Sequence, residues 1–188
     1  KTSGWGMGVC VADYDNDGNS DFYVTGYGPD ALFHNNGNGT FKDISRSSGT
    51  NLSLLTKAVV AADNNNDGYA DLFVSNYRGD SALLHNNHDL TFTDVAPQAG
   101  VQASGHGFAA WFFDYDNDGW PDLFVNSYYI SSDESIRTYL GLPNNAEGSK
   151  LYRNLDDGTF RDVSAETRLD KMLMPMAANF EDVNNDGY

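Results

Sequence analysis

A nine-residue pattern, Asp-x-Asp-x-Asp-Gly-x-x-Asp, constrains this chain more than any other feature because it recurs. It runs from Asp13 to Asp21 and from Asp114 to Asp122, and with Asn65 at its third position from Asp63 to Asp71. A partial copy begins at Asp182-Val183-Asn184-Asn185-Asp186-Gly187, just before Tyr188. Carboxylates alternating within one tight loop repel each other unless a cation lies between them. Hard oxygens at positions 1, 3, 5 and 9, with the backbone carbonyl of position 7, suit Ca²⁺ and its roughly six to eight oxygen ligands. Glycine at position 6 permits the sharp turn.

The loops start at 13, 63, 114 and 182, a period that points to propeller blades or solenoid turns. More than the loop repeats. Leu32-Phe33-His34-Asn35, Leu83-Leu84-His85-Asn86 and Leu151-Tyr152-Arg153-Asn154 align, as do Thr40-Phe41-Lys42-Asp43, Thr91-Phe92-Thr93-Asp94 and Thr159-Phe160-Arg161-Asp162. Each unit reads as four short strands: one entering the loop, one leaving it, the Leu-containing segment, and Thr-Phe-x-Asp. Asn36-Gly37-Asn38-Gly39 and Asp156-Asp157-Gly158 are hairpin signals between the third and fourth strands. The expected fold is all-β, with blades of four antiparallel strands forming about three and a half blades of a propeller. The repeats are placed at residues 5–48, 55–98, 105–166 and, incompletely, 174–188, within one domain.

An EF-hand does not fit. Its twelfth loop position needs a bidentate Glu, and here those positions are Val24, Val74 and Val125. The acidic loop between two apolar strands, followed by Leu-Phe-His-Asn-Asn-Gly-Asn-Gly-Thr-Phe-x-Asp, resembles the FG-GAP/VCBS repeats of integrin-type β-propellers. The Asn-Asn-Gly-x-Gly-Thr-Phe wording is most similar to the secreted cartilage acidic protein (ASPIC/UnbV) family. The resemblance implies a propeller whose Ca²⁺ loops join the first two strands of each blade, with roles in recognition and adhesion. Carried across position by position, it implies metal ligands at Asp13, Asp15, Asp17 and Asp21, at Asp63, Asn65, Asp67 and Asp71, and at Asp114, Asp116, Asp118 and Asp122. The position-7 carbonyls are those of Asn19, Tyr69 and Trp120, and the partial loop offers Asp182, Asn184 and Asp186. The Phe-Gly and Gly-Ala-Pro signatures are missing, and three and a half repeats do not close a ring. Further chain or other subunits are expected to complete it.

Composition follows from the loops. Net charge is −16, and the three complete loops hold four, three and four of the carboxylates. Three bound Ca²⁺ would leave about −10. So negative a surface repels nucleic acid. No apolar run reaches a membrane span's roughly 18 to 20 residues. Weak Ca²⁺ loops suit millimolar Ca²⁺, which favours an extracellular or cell-surface setting. Cys10, the single cysteine, reads as a buried small hydrophobe.

Antiparallel parity puts the acidic loops and the third-to-fourth hairpins on one face of the blades, and the other connections on the opposite face. The third repeat carries an insertion, 129–147, on that opposite face. Its Ser131-Ser132-Asp133-Glu134 start and Gly141-Leu142-Pro143 end outline a short capped helix. A long loop on a rigid scaffold suits recognition, making Tyr129, Arg137 and Tyr139 candidate ligand contacts, unless the segment is only a lid on its own blade. His34 and His85 share one strand position, a pattern that favours a structural hydrogen-bonding role. Trp5 and Trp111 are expected to pack between blades and Trp120 to cover its loop. No catalytic constellation stands out and the loops contain no basic residue, so an enzyme is not expected. The functional reading is a Ca²⁺-binding recognition or adhesion module for a protein or glycan ligand. Its alternatives are a self-assembling subunit of a filament or layer, and a Ca²⁺-dependent polysaccharide-active enzyme.

Overall fold

β-branched and aromatic residues on both sides of each acidic loop pair the flanking segments as antiparallel strands. The computed structural model describes residues 5–102, 104–127, 131–143 and 148–170. The first unit comprises β1 (Trp5–Ala12), β2 (Asp21–Pro29), β3 (Ala31–Asn35) and β4 (Phe41–Asp43). The second has β5 (Ser53–Ala62), β6 (Asp71–Asn76), a two-residue β7 (Gly79–Asp80), β8 (Ala82–Asn86) and β9 (Phe92–Asp94). After a one-turn helix α1 (Ala96–Ala99) and the short β10 (Ser104–Gly105) come β11 (Gly107–Phe113) and β12 (Asp122–Ser127). The helix α2 (Ser132–Tyr139), β13 (Lys150–Asn154) and β14 (Phe160–Asp162) complete the third unit.

Within each unit the pairing is first to second, second to third and third to fourth, all antiparallel. The register repeats too: Ala12 faces Asp21, Ala62 faces Asp71 and Phe113 faces Asp122, so each acidic loop closes the hairpin at one sheet end. The three four-stranded units are blades of an all-β, partial propeller. One pairing was not foreseen. The far end of β2 continues onto β5 through Tyr27–Leu55, Gly28–Leu54 and Pro29–Ser53, joining the first two blades into one curled eight-stranded sheet.

Alternation sends successive residues of a strand to opposite faces, so that adjacent blades can pack face on face. Tyr23 and Leu32 of the first blade pack on Val59, Leu72, Val74, Leu84 and Phe92 of the second. On the second blade's other face, Phe73 and Leu83 pack on Leu123, Val125, Tyr152 and Phe160 of the third. The third blade's far face gathers Phe124, Leu151 and Val163 with Trp111, Phe113 and Tyr115.

Two core expectations need correction. Trp5 is 81% exposed and packs against no second blade among the described residues, whereas Trp111 lies on the third blade's far face, 4.8 Å from Phe124, where no further blade is described. Cys10 is only half-buried, touching the first core from its edge. The partial fourth loop with Asp182, Asn184 and Asp186, the repeat at 174–188, and Tyr129 lie outside the described residues.

Candidate metal centres

The three complete loops fold alike because the first carboxylate of each ties the turn together. Asp13 accepts from the N–H groups of Asp17 (3.1 Å) and Gly18 (2.8 Å). Asp63 does so with Asp67 and Gly68, and Asp114 with Asp118 and Gly119. The position-5 carboxylate then accepts the N–H of position 7: Asn19 to Asp17 at 2.7 Å, Tyr69 to Asp67 at 2.9 Å, Trp120 to Asp118 at 3.0 Å. Glycine at position 6 is left-handed, with φ of 88°, 90° and 90° at Gly18, Gly68 and Gly119. The spacing predicts that glycine, and the structure adds a second left-handed residue at position 4. Asn16, Asn66 and Asn117 are left-handed as well, a conformation asparagine tolerates better than most side chains.

Position 9 is the buried anchor. Asp21, Asp71 and Asp122 are all at most 1% exposed. One oxygen of each accepts the N–H of the strand-end asparagine: Asn35 at 2.7 Å, Asn86 at 2.8 Å, Asn154 at 2.8 Å. In loops one and three the other oxygen accepts the N–H of position 2, Tyr14 or Tyr115; in loop two it accepts the side-chain amide of Asn64. Loop, second strand and third strand are thereby fixed to one carboxylate.

Oxygens of Asp13, Asp15 and Asp21 lie within 4.8 Å of one another, as do those of Asp114, Asp116 and Asp122. Burial pushes the Asp122 carboxyl up to about 6, and the negative charges of Asp116 and Asp118 add to the effect. Burial raises Asp15 as well, with Asp17 and Asp21 contributing. Carboxylates held this close fit a hard dication. Asp116 Oδ1 is buried and makes no hydrogen bond, the disposition of an oxygen available to an ion. Asp17 instead sits below the usual range because Asn19 donates to it from side chain and backbone. Loop two is less acidic, since Asn65 stands at position 3 and gives its amide to Asp67 at 2.8 Å.

Four basic side chains around the loops were not foreseen as neighbours of the site. His34 Nδ1 lies 3.2 Å from Asp21 and His85 Nδ1 3.1 Å from Asp71. Arg153, at the same strand position, reaches Asp116 Oδ2 with Nε at 2.7 Å and Asp118 Oδ2 with Nη2 at 3.0 Å. The pairing raises the Arg153 guanidinium further, Asp118 contributing most. His88 comes from the β8–β9 hairpin, stacks on Tyr69 at 4.1 Å and approaches Asp67 at 2.9 Å. Although the loops contain no base, the adjacent strand supplies one to each, and the hairpin adds a second to loop two. The shared register of His34, His85 and Arg153 was the signal. Trp120 lines an open cavity of about 220 Å³ beside Asp118, Arg153, Asn154, Leu155 and Asp156.

The hairpins meet the loops as parity requires. At the opposite end of the third blade, chain leaves at Ser127 and returns at Lys150, and α2 lies in that connection. Ser131 caps it in a reciprocal box with Glu134. Arg137 is tied to Asp133 at 2.6 Å, whereas Tyr139 is 90% exposed.

Among described residues no helix is long and apolar enough to cross a membrane. Curated proteins yield no match. A solved structure titled for specific recognition of non-reducing terminal N-acetylglucosamine by an Agrocybe aegerita lectin is similar at a TM-score of 0.48 and 18% identity. The similarity covers 84% of this chain, which spans 38% of that one. The FG-GAP-like repeat matches twice, over residues 13–74 and 63–125, each match running from one acidic loop through the next. With the same loop, the same four strands and the same register in every blade, the chain belongs to the FG-GAP-like repeat family.

Proposed function

We propose that this chain is a Ca²⁺-binding recognition module working outside the cell, with the ion holding the blades and a ligand taken on the face opposite the loops. The observation that carries the metal half is the recurrence of one oxygen cage in loops one and three, including the unpartnered Asp116 Oδ1. Asp13, Asp15, Asp17 and Asp21 would hold one ion, Asp63, Asn65, Asp67 and Asp71 a second, and Asp114, Asp116, Asp118 and Asp122 a third. Bound Ca²⁺ would offset two of the negative charges in each loop and add no reaction chemistry.

The recognition half is supported by α2, in which no residue is buried. Ile136 (58%), Tyr139 (90%) and Leu140 (60%) are exposed on a helix with a complete capping box. A rigid helix offering apolar side chains on a blade connection is suited to a protein or glycan partner.

At free Ca²⁺ about tenfold above Kd, three sites add roughly 4 kcal/mol. For a chain of this length that corresponds to a rise of about 10 °C in melting temperature. Scanning calorimetry with Ca²⁺ and with EDTA checks this. A midpoint indifferent to chelation removes the metal reading. Titration calorimetry of Asp116→Ala should show one site fewer.

A further inference from the structure

The third loop differs from the other two in the residue beside it. His34 and His85 occupy a position that Arg153 fills in the third blade, one residue before the asparagine bonded to position 9. A guanidinium carries its charge at every pH the protein meets, a permanence that an imidazole lacks. Arg153 bridges Asp116 Oδ2 and Asp118 Oδ2, while Asp116 Oδ1 is left buried without a partner. One carboxylate thus faces a cation on one oxygen and offers the other to the cage.

We propose that Arg153 is a built-in counter-cation of the third loop, which orders that loop without metal and makes its Ca²⁺ site the weakest of the three complete ones. This rests on reading the loops as Ca²⁺ sites. Two effects oppose each other. By fixing two ligand carboxylates Arg153 favours the ion, as partners behind metal ligands do. By adding a fixed positive charge one carboxylate away from a dication it disfavours it. At the effective dielectric of a half-exposed site the repulsion is the larger effect, worth roughly tenfold in affinity after screening. Among the described residues, loops one and two carry no permanent positive charge in contact with their ligand carboxylates. The third site is therefore the one that loads last and empties first as Ca²⁺ falls.

The test is titration calorimetry of Ca²⁺ into the EDTA-stripped 188-residue chain at pH 8. It compares the wild type with Arg153→His, the residue the other blades carry, and with Arg153→Gln, which keeps length without charge. One site should tighten about tenfold in both variants and the others stay unchanged, while the melting midpoint in EDTA falls as loop three loses its internal cation. A site that is unchanged or weaker in both variants, or an EDTA midpoint that does not move, overturns the proposal and leaves the Ca²⁺ reading standing. No binding heat in any of the three proteins overturns both.

Discussion

Single residues in this chain serve several elements at once. Asp30, 2% exposed, accepts from Thr56 Oγ1 at 2.6 Å, Tyr23 Oη at 3.1 Å and the Gly26 N–H at 3.3 Å, binding β2 to β5 where the two blades share a sheet. Burial pushes its carboxyl up to about 6, and those three donors only partly offset it. In the unfolded chain an aspartate titrates near about 3.9. The folded state therefore favours the protonated form, and Asp30 contributes stability that is complete below about pH 4 and lost as pH rises to about 6. A difference of that size is worth about 3 kcal/mol. Asp30→Asn keeps the acceptor oxygen, stays neutral, and should flatten the stability profile across this window. Urea unfolding of both proteins at pH 4, 5, 6 and 7 checks it; parallel profiles would dismiss Asp30 as the titrating group.

At the scale of elements, the loops and strand-end asparagines form a chain of ties from blade to blade. Asn86 Nδ2 donates to Tyr14 O at 2.8 Å, and Asn154 Nδ2 to Asn64 O at 2.7 Å, each reaching position 2 of the preceding blade's loop. Asn35, in the first blade, bonds Ser20 O within its own loop. The three asparagines look identical in the sequence, but their expected contributions differ. Asn154→Ala leaves buried carbonyls unpaired and should cost about 2–3 kcal/mol, while Asn35→Ala, more exposed, should cost about 1 kcal/mol. Equal losses in chemical denaturation would refute a role in joining blades. The hairpins show a comparable division. Gly37 and Gly39 take left-handed φ in the first, and His88 (φ 66°) and Leu90 (φ 63°) do so in the second. A histidine held there, stacked on Tyr69 and against Asp67, is where the second blade departs from regular hairpin chemistry.

For the molecule as a whole, the pattern of joints leaves two faces without a blade among the described residues. In the second blade, Val59, Leu72, Leu84 and Phe92 are covered by the first. Their counterparts in the first blade are Val9, Phe22, Phe33 and Phe41, and Val9 and Val11 are each 62% exposed beside Phe22, which stacks on Phe33 and meets Phe41 edge-on. An apolar face of this kind seeks a partner. The 188-residue chain in isolation should associate as its concentration rises, and Val9→Lys with Val11→Lys should suppress most of that. Sedimentation velocity reads the effect, and an undiminished rise in the variant would place the contact elsewhere.

The sequence by itself determined the blade. Alternating apolar residues set the strands, the acidic nonapeptide set where they turn, and the equal spacing of Asn35, Asn86 and Asn154 from their phenylalanines set the hairpins. These are local properties, written within a few residues of where they act. Tertiary structure alone decided which side chains from other elements reach the loops. Arg153 on Asp116 and Asp118, His88 on Tyr69, and Asn154 on Asn64 join residues 19 to 90 positions apart. It also decided that β2 runs on into β5, and that Trp5 lies open while Tyr14 is fully buried. Such pairings depend on how twisted sheets stack face to face, and no spacing along one strand encodes that.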